Sequence, residues 1–438
     1  MRIALIGENS IEFINILLNI WNDGDCAVLI DWRIPSFSAT KMMFEAGVTQ
    51  CYIDKTINYD IDINILSSHG IKHIFFNKES NNVEVIPKHI IDKYVSNYSS
   101  NEALILYSSG TTGKSKGIIL SHYAISTNAD AIFNYMEVEE NDCIFIVKSL
   151  THSSTIVGEV LVALKNKIKA VITSTQNTIF NNIKNISEYN ATILCLNPTL
   201  LTLYLQEYTN KRITLPSLQA VYVSGSILND NIYRLAIDVF GAFKIYNVYG
   251  LSEAGPRVSA QRKNNSCKKN TVGKPLKGVL IKIVPCNCDN RKEGIIYVKT
   301  PSAFSGYVVD NIGSQVFDNE WINTGDIGYF DNDNELVVVG RQDNCFMYES
   351  HKIYPEEIEN VLSDFGEFSE CIVCGNDNHI RCYYTSKTGK PIKNVVIRQM
   401  LKKAEKILPK YEMPKEFIFI ESFKKNISGK IVRKDYQL

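Results

Sequence analysis

The chain has 438 residues, about three times the ~150-residue domain prior, and its 45% hydrophobic and 21% charged content excludes disordered, collagen-like and fibrous classes. Lysine plus arginine (47) balances aspartate plus glutamate (47), which removes the whole-chain electrostatic signature of a nucleic-acid binder. Eleven scattered cysteines lack the spacing of a disulfide framework, and no uncharged run reaches the ~18 residues of a membrane span, so a cytoplasmic protein with free thiols is expected.

In chain order, the first residues carry no signal-peptide pattern and read as a buried strand, Arg2–Ile6. Further short apolar runs follow at Ala27–Ile30, Ile74–Phe76, Ala103–Tyr107, Cys143–Val147, Ala170–Ile172, Thr192–Leu196 and Ala220–Val223. Stretches of helical period such as Ile11–Trp21 and Ile179–Tyr189 lie between them, and this alternation predicts an α/β architecture with largely parallel sheets. From Thr271 glycines punctuate shorter strands (Leu280–Val284, Gly294–Lys299, Glu335–Val339), which predicts an antiparallel, barrel-like part.

A boundary is expected after Gly340-Arg-Gln-Asp343, dividing residues 1–342 from 343–438. The second unit would be α+β, with helices Pro355–Ser363 and Val395–Leu408 and strands around Cys371–Val373 and Arg381–Tyr384. Cys371-Ile-Val-Cys374 has no answering pair at zinc-site spacing and reads as part of a strand. From Lys390 to Leu438 there are thirteen Lys/Arg against five Asp/Glu, which suits a solvated face or a surface that meets phosphate or an acidic partner.

The most informative segment is Tyr107-Ser-Ser-Gly-Thr-Thr-Gly-Lys-Ser-Lys-Gly117. Hydroxyls and bare amides of Ser108, Ser109, Gly110, Thr111, Thr112 and Gly113 can wrap a polyphosphate, with Lys114 and Lys116 adding charge. A Walker A loop would need glycine where Ser108 stands, so a P-loop phosphotransferase is disfavoured.

This segment resembles the signature loop of the adenylate-forming superfamily: acyl- and aryl-CoA synthetases, adenylation domains of nonribosomal peptide synthetases, and luciferases. Asn247-Val-Tyr-Gly-Leu-Ser-Glu253, Thr324-Gly-Asp326, Gly340-Arg-Gln-Asp343 and Ser428-Gly-Lys-Ile-Val-Arg433 resemble further family motifs in the family's order. The resemblance implies a large N-terminal domain of two α/β subdomains plus a distorted β-barrel, followed by a small mobile C-terminal domain. It also implies roles. Asn247, Tyr249 and Gly250 would hold adenine, Asp326 and Arg341 the ribose or phosphate, Ser252 the α-phosphate, and Glu253 a Mg²⁺ carried chiefly by ATP phosphates. Asp343 would be the hinge and Lys430 the catalytic lysine that bridges carboxylate and phosphate.

The activity so implied joins a carboxylate to ATP as acyl-AMP, releases pyrophosphate, and passes the acyl group to the thiol of CoA or of a carrier protein's phosphopantetheine. Ser224-Gly225 would line the acyl pocket. In amino-acid-activating relatives an aspartate occupies the place taken here by His152 or Ser153, so a hydroxylated aryl acid or a short acyl acid is expected over an amino acid. Two departures stand out: Met1 begins inside the family's usual N-terminal elements, and Ser350 replaces a glycine after the hinge, which would narrow a pantetheine passage. The alternative is a catalytically impaired nucleotide-binding relative.

Overall fold

The structure, a computed structural model, describes residues 1–79, 82–108, 116–211, 215–241, 244–263, 268, 271–285, 292–309, 317–318, 320–349, 351–376, 379–426 and 429–437. Its first sheet runs in the order Gly306–Tyr307, Lys116–Ser121, Glu102–Ser108, Cys26–Asp31, Arg2–Gly7, Gln50–Asp54, Lys72–Phe76. The last five pair in parallel, and Lys116–Ser121 turns back antiparallel on Glu102–Ser108. The central strands Arg2–Gly7 and Cys26–Asp31 are buried almost throughout, which is why they read as continuous apolar runs instead of alternating ones.

The second sheet has Ile245–Tyr249, Ala220–Val223, Ile193–Leu196, Cys143–Ile146 and Lys169–Thr173 in parallel. Short antiparallel strands extend it at each end: Ser259–Ala260 and Lys274–Pro275 at one, Val83–Val85 at the other. Helices Ile11–Asn22, capped by Ser10, and His122–Met136, capped by Ser121, bury apolar faces in a core that joins both sheets. The run after Cys143–Ile146 was not foreseen: Ser153–Thr155 is helical and passes into a fully buried π-helical turn, Ile156–Leu161.

Beyond Thr271 the antiparallel texture is present. Trp321–Phe330 pairs with Gly294–Lys299, Phe317–Asp318 and Leu336–Arg341, and Leu280–Pro285 extends the sheet. The strand read at Glu335–Val339 runs instead over Leu336–Arg341, bringing Arg341 opposite Asp326 in register.

Residues 346–419 build their own core from Tyr348, Ile353, Ile358, Leu362, Phe368 and Met400 around the sheet Phe368–Asn376, His379–Ser386, Glu416–Phe419. Helix Pro355–Asp364 matches its expected span, but the second helix stops at Ala404, short of Leu408, which precedes a proline that disfavours helical backbone. Cys371 and Cys374 are buried in the first strand of that sheet, where burial pushes the Cys374 thiol up to about 11. Among the described residues no helix is long and apolar enough to cross a membrane.

Candidate active site

Strand Ile245–Tyr249 ends at Gly250, where an added Cβ would stand 1.9 Å from the Pro256 carbonyl, so only glycine lets the chain double back here. That reversal fixes Tyr249. Its buried hydroxyl donates to Asp326 Oδ2 at 2.5 Å, and burial first, then the Asp326 charge, raise its pKa well above the ordinary phenol range. Asp326 Oδ1 accepts from Arg341 Nη1 at 2.9 Å, and the same nitrogen donates to the Thr324 carbonyl at 2.8 Å. Thr324 Oγ1 in turn accepts from the Asp326 amide at 3.0 Å. Asn247 donates its side-chain amide to the Thr271 carbonyl at 3.2 Å. Every member of this cluster is thus held before any ligand arrives.

Ser252 and Glu253 open a short 3₁₀ turn immediately beyond. Ser252 Oγ lies 2.8 Å from Ser153 Oγ, and Glu253 Oε1 accepts from Tyr307 OH at 2.9 Å. Tyr307 sits on the short strand beside Lys116–Ser121 and carries Lys116 Nζ over its ring, 5.4 Å from the centroid. Gly117 permits this approach, since a Cβ there would meet Val308 at 2.7 Å. The loop residues Ser109, Gly110, Thr111, Thr112, Gly113 and Lys114, and the side chain of Ser108, lie outside the described residues, as does Ser350. The flanking strands bring the loop's two ends together, Ser108 opposite Lys116.

Lys430 reaches the same place from the C-terminal unit. It sits in a turn in which Asn426 Oδ1 accepts from its amide at 2.9 Å and the Asn426 amide donates to its carbonyl at 2.8 Å. Gly429 there has φ +81°, a left-handed conformation that a side chain resists. Thr199 of the N-terminal part donates to the Gly429 carbonyl at 3.4 Å. The Lys430 side chain is exposed along the cleft between the two parts; the protein around it lowers its pKa by desolvation, Asp326 opposes this and Arg341 adds to it. Arg433 pairs with Glu359 and lies 3.8 Å from Glu356, tying the turn to helix Pro355–Asp364. Asp343, in the 3₁₀ turn Gln342–Asn344, is exposed and lies 3.4 Å from Arg341 Nη2.

On the other side of Ser252 lies Ser149–Thr155. His152 is brought down to about 4 by desolvation first, against Asp31, and with Arg33, Lys148 and Lys430 all acting in the same direction as burial. It is therefore a neutral imidazole at pH 7. Asp31 holds Arg33 in a two-point ion pair, at 2.8 and 2.6 Å, and accepts from Thr151 at 3.3 Å. Ser224 is buried, and Gly225 is exposed with φ +102°. Tyr307, the Asp31–Arg33 pair and the Arg433 clasp were not foreseen as neighbours of the site. Only Arg433 had a signal, its fixed place after Lys430; the others meet the site through contacts distant in sequence.

The family description "AMP-binding enzyme" matches residues 1–308, and "AMP-binding enzyme C-terminal domain" matches residues 357–430. The chain belongs to the AMP-binding enzyme family. A peroxisomal OPC-8:0-CoA ligase of Arabidopsis thaliana is 27% identical over 347 residues, 76% of this chain and 63% of the relative, so the chain spans less than two thirds of it. A 2-succinylbenzoate–CoA ligase of Bacillus cereus is 24% identical over 457 residues, 99% of this chain and 87% of the relative. The o-succinylbenzoate CoA synthetase of Bacillus subtilis, solved with its acyl-adenylate intermediate, superposes with a TM-score of 0.83 at 20% identity, covering 99% of this chain and 87% of that one. It shares the fold of this family member, and it has also been solved with ATP and magnesium.

Proposed function

We propose that this protein is an ATP-dependent acid–thiol ligase working through an acyl-adenylate. The observation that carries this reading is the bonded cluster of Tyr249, Asp326 and Arg341 just before Ser252 and Glu253, with the turn that holds Lys430 fastened to the N-terminal part through Thr199 and Gly429. The acid's carboxylate oxygen attacks the α-phosphorus of ATP, the bond to the β-phosphate oxygen breaks, and pyrophosphate leaves. Charge builds on the phosphate as this happens. Lys430 supplies a fixed cation at that point, with Ser252 as a hydroxyl donor to the phosphate. Tyr249 and Asn247 hold the adenine, and Asp326, oriented by Tyr249 and Arg341, accepts from the ribose hydroxyls.

Glu253 offers a hard carboxylate oxygen suited to a Mg²⁺ that arrives on ATP phosphates. When bound, the ion neutralises phosphate charge.

In the second step a thiolate attacks the acyl carbonyl and AMP leaves. CoA is the thiol we favour, from the names of the relatives; a carrier protein's phosphopantetheine offers the same reacting group. We read residues 343–438 as the moving unit, Asp343 as the hinge and the cytoplasm as the compartment. The pocket bounded by His152, Ser153, Ser224 and Gly225 takes an acid without an α-ammonium group, since neither His152 nor Ser153 is acidic.

The test is carboxylate-dependent ATP–pyrophosphate exchange across aryl, short-chain, fatty and amino acids, followed by CoA-dependent AMP release. Exchange with one class establishes adenylation. Silence across the panel with ATP binding intact would identify a nucleotide-binding relative that has lost the reaction.

A further inference from the structure

Tyr307 stands where the phosphate loop's end meets the turn that carries Glu253. Residues 302–308 are fastened on one side to the strand that follows the loop: the Ser305 amide donates to the Ile119 carbonyl and the Val308 amide to the Gly117 carbonyl, each at 2.8 Å, with Tyr307 opposite Ile118 in register. On the other side the Phe304 amide donates to the Glu253 carbonyl at 2.8 Å. Gly255 has φ +86°, and a Cβ there would stand 2.5 Å from the Ser302 carbonyl, so the Glu253 turn lies directly against this segment. Main-chain bonds thus set the Glu253 turn against the loop's end before any side chain is considered.

The Tyr307 side chain uses that position twice. It is buried, with its ring packed against Phe304 at 4.9 Å between centroids. Its hydroxyl donates to Glu253 Oε1 at 2.9 Å, and its face carries the Lys116 ammonium, 5.4 Å from the centroid. Among the described residues no ion pair joins Lys116 to Glu253; each meets the phenol instead. A direct pair would occupy the carboxylate, whereas the phenol holds it by one oxygen and Oε2 accepts no hydrogen bond among the described residues. A carboxylate held by one oxygen, with the other left to accept, fits a hard cation.

We propose that Tyr307 is a positioning residue for the metal that arrives on ATP: its hydroxyl fixes the Glu253 carboxylate for Mg²⁺, and its strand ties that carboxylate to the end of the phosphate loop. This rests on the ligase reading above and adds a residue that none of the sequence motifs contains. Hydrogen-bond partners of a metal ligand set its orientation, and losing one typically weakens metal binding by about 10–100-fold.

The experiment measures binding without turnover, using α,β-methylene-ATP, in which the bond broken in adenylation is blocked. Its dissociation constant is determined by calorimetry in EDTA and in saturating Mg²⁺, and the ratio of the two is the gain due to the metal. AMP is the control ligand, and ATP–pyrophosphate exchange across the acid panel is run alongside. The wild type is expected to bind the analogue roughly tenfold or more tightly with Mg²⁺, and Tyr307→Phe, which removes one oxygen and keeps the ring beneath Lys116, should lose most of that gain with AMP affinity unchanged. Glu253→Gln should lose it as well, and the double variant should lose no more than Glu253→Gln alone. Glu253→Asp keeps the charge but withdraws the carboxylate from the Tyr307 hydroxyl, so it too should lose the gain, and it decides the matter if the Phe variant does not fold. A full gain in Tyr307→Phe or Glu253→Asp overturns the proposal. So does a double variant that loses more than Glu253→Gln, or an equal loss of AMP affinity in Tyr307→Phe, which would mark a structural role only. Absence of any gain in the wild type also overturns it, and exchange with any acid would then leave the ligase reading standing. A gain lost in Tyr307→Phe, with no exchange from any acid, would uphold the positioning role and refute the ligase reading.

Discussion

The cluster around Tyr249 and the segment beyond Ser153 are held together in different ways. At the proposed nucleotide end Tyr249, Asp326, Arg341 and Thr324 bond one another at 2.5 to 3.0 Å, with the buried Arg341 Nε left without a partner among the described residues. Beyond Ser153 the plan is a buried ion pair, Lys148 with Glu159 at 2.9 Å, beside Arg257, where Arg257 Nε and Glu159 Oε2 have no partner among the described residues. A preorganised network suits a ligand that never changes, because its groups pay no reorganisation as charge develops. Both ends thus keep a buried polar atom unpaired, and what separates them is that one is knit by direct side-chain hydrogen bonds and the other by a single buried ion pair.

The sharpest test of this division removes the cation proposed for the nucleotide end. Lys430→Ala is expected to slow ATP–pyrophosphate exchange by on the order of 10²–10³ with every accepted acid alike, whereas AMP release from a supplied acyl-adenylate and CoA falls far less. Equal losses in both half-reactions would remove the separate role of Lys430.

A smaller effect follows from Gly250→Ala. The new Cβ would collide with the Pro256 carbonyl, and a destabilisation of about 1–3 kcal/mol is expected, read as a lower denaturation midpoint with weakened ATP binding.

Asp326→Asn probes the electrostatics. Because desolvation lowers the Lys430 pKa and Asp326 opposes that, the lysine loses its charge as pH rises through a value below the ordinary lysine range. Removing the aspartate charge should move the alkaline limb of the exchange rate, measured at saturating ATP, to still lower pH. A limb that stays in place would show that another group sets it.

Gly429→Ala, with φ +81° at the substituted position, should cost about 1 kcal/mol and lower exchange through misplacement of Lys430. Comparing its exchange rate with its thermal midpoint separates the two.

Much of the fold was legible because parallel strands buried on both faces, such as Cys26–Asp31 and Ala220–Val223, must be uninterrupted apolar runs. That Tyr249, Asp326 and Arg341 come together was legible for a related reason: they lie in short motifs, where a glycine such as Gly250 is dictated by backbone clash. The cluster beyond Ser153 was not. Lys148, Glu159 and Arg257 come from a strand end, a π-helical turn and a post-turn segment, and none of them was singled out in the sequence. Nothing local distinguishes a buried ion pair from two solvated charges; only the topology brings them together. The same holds for Tyr307, which reaches Glu253 from a two-residue strand.

The placement of Glu356 has a mechanical consequence. It accepts from Asn344 in the turn that contains Asp343, packs against Gly340, where a Cβ would stand 2.5 Å from its Oε2, and lies beside Arg433, three residues beyond Lys430. One carboxylate therefore stands beside the proposed turning point, and the helix behind it is tied to the turn that carries the lysine. If Asp343 is the hinge proposed above, turning there would withdraw Lys430 together with the helix, and leaving the phosphate and opening a path for the thiol would be a single stroke.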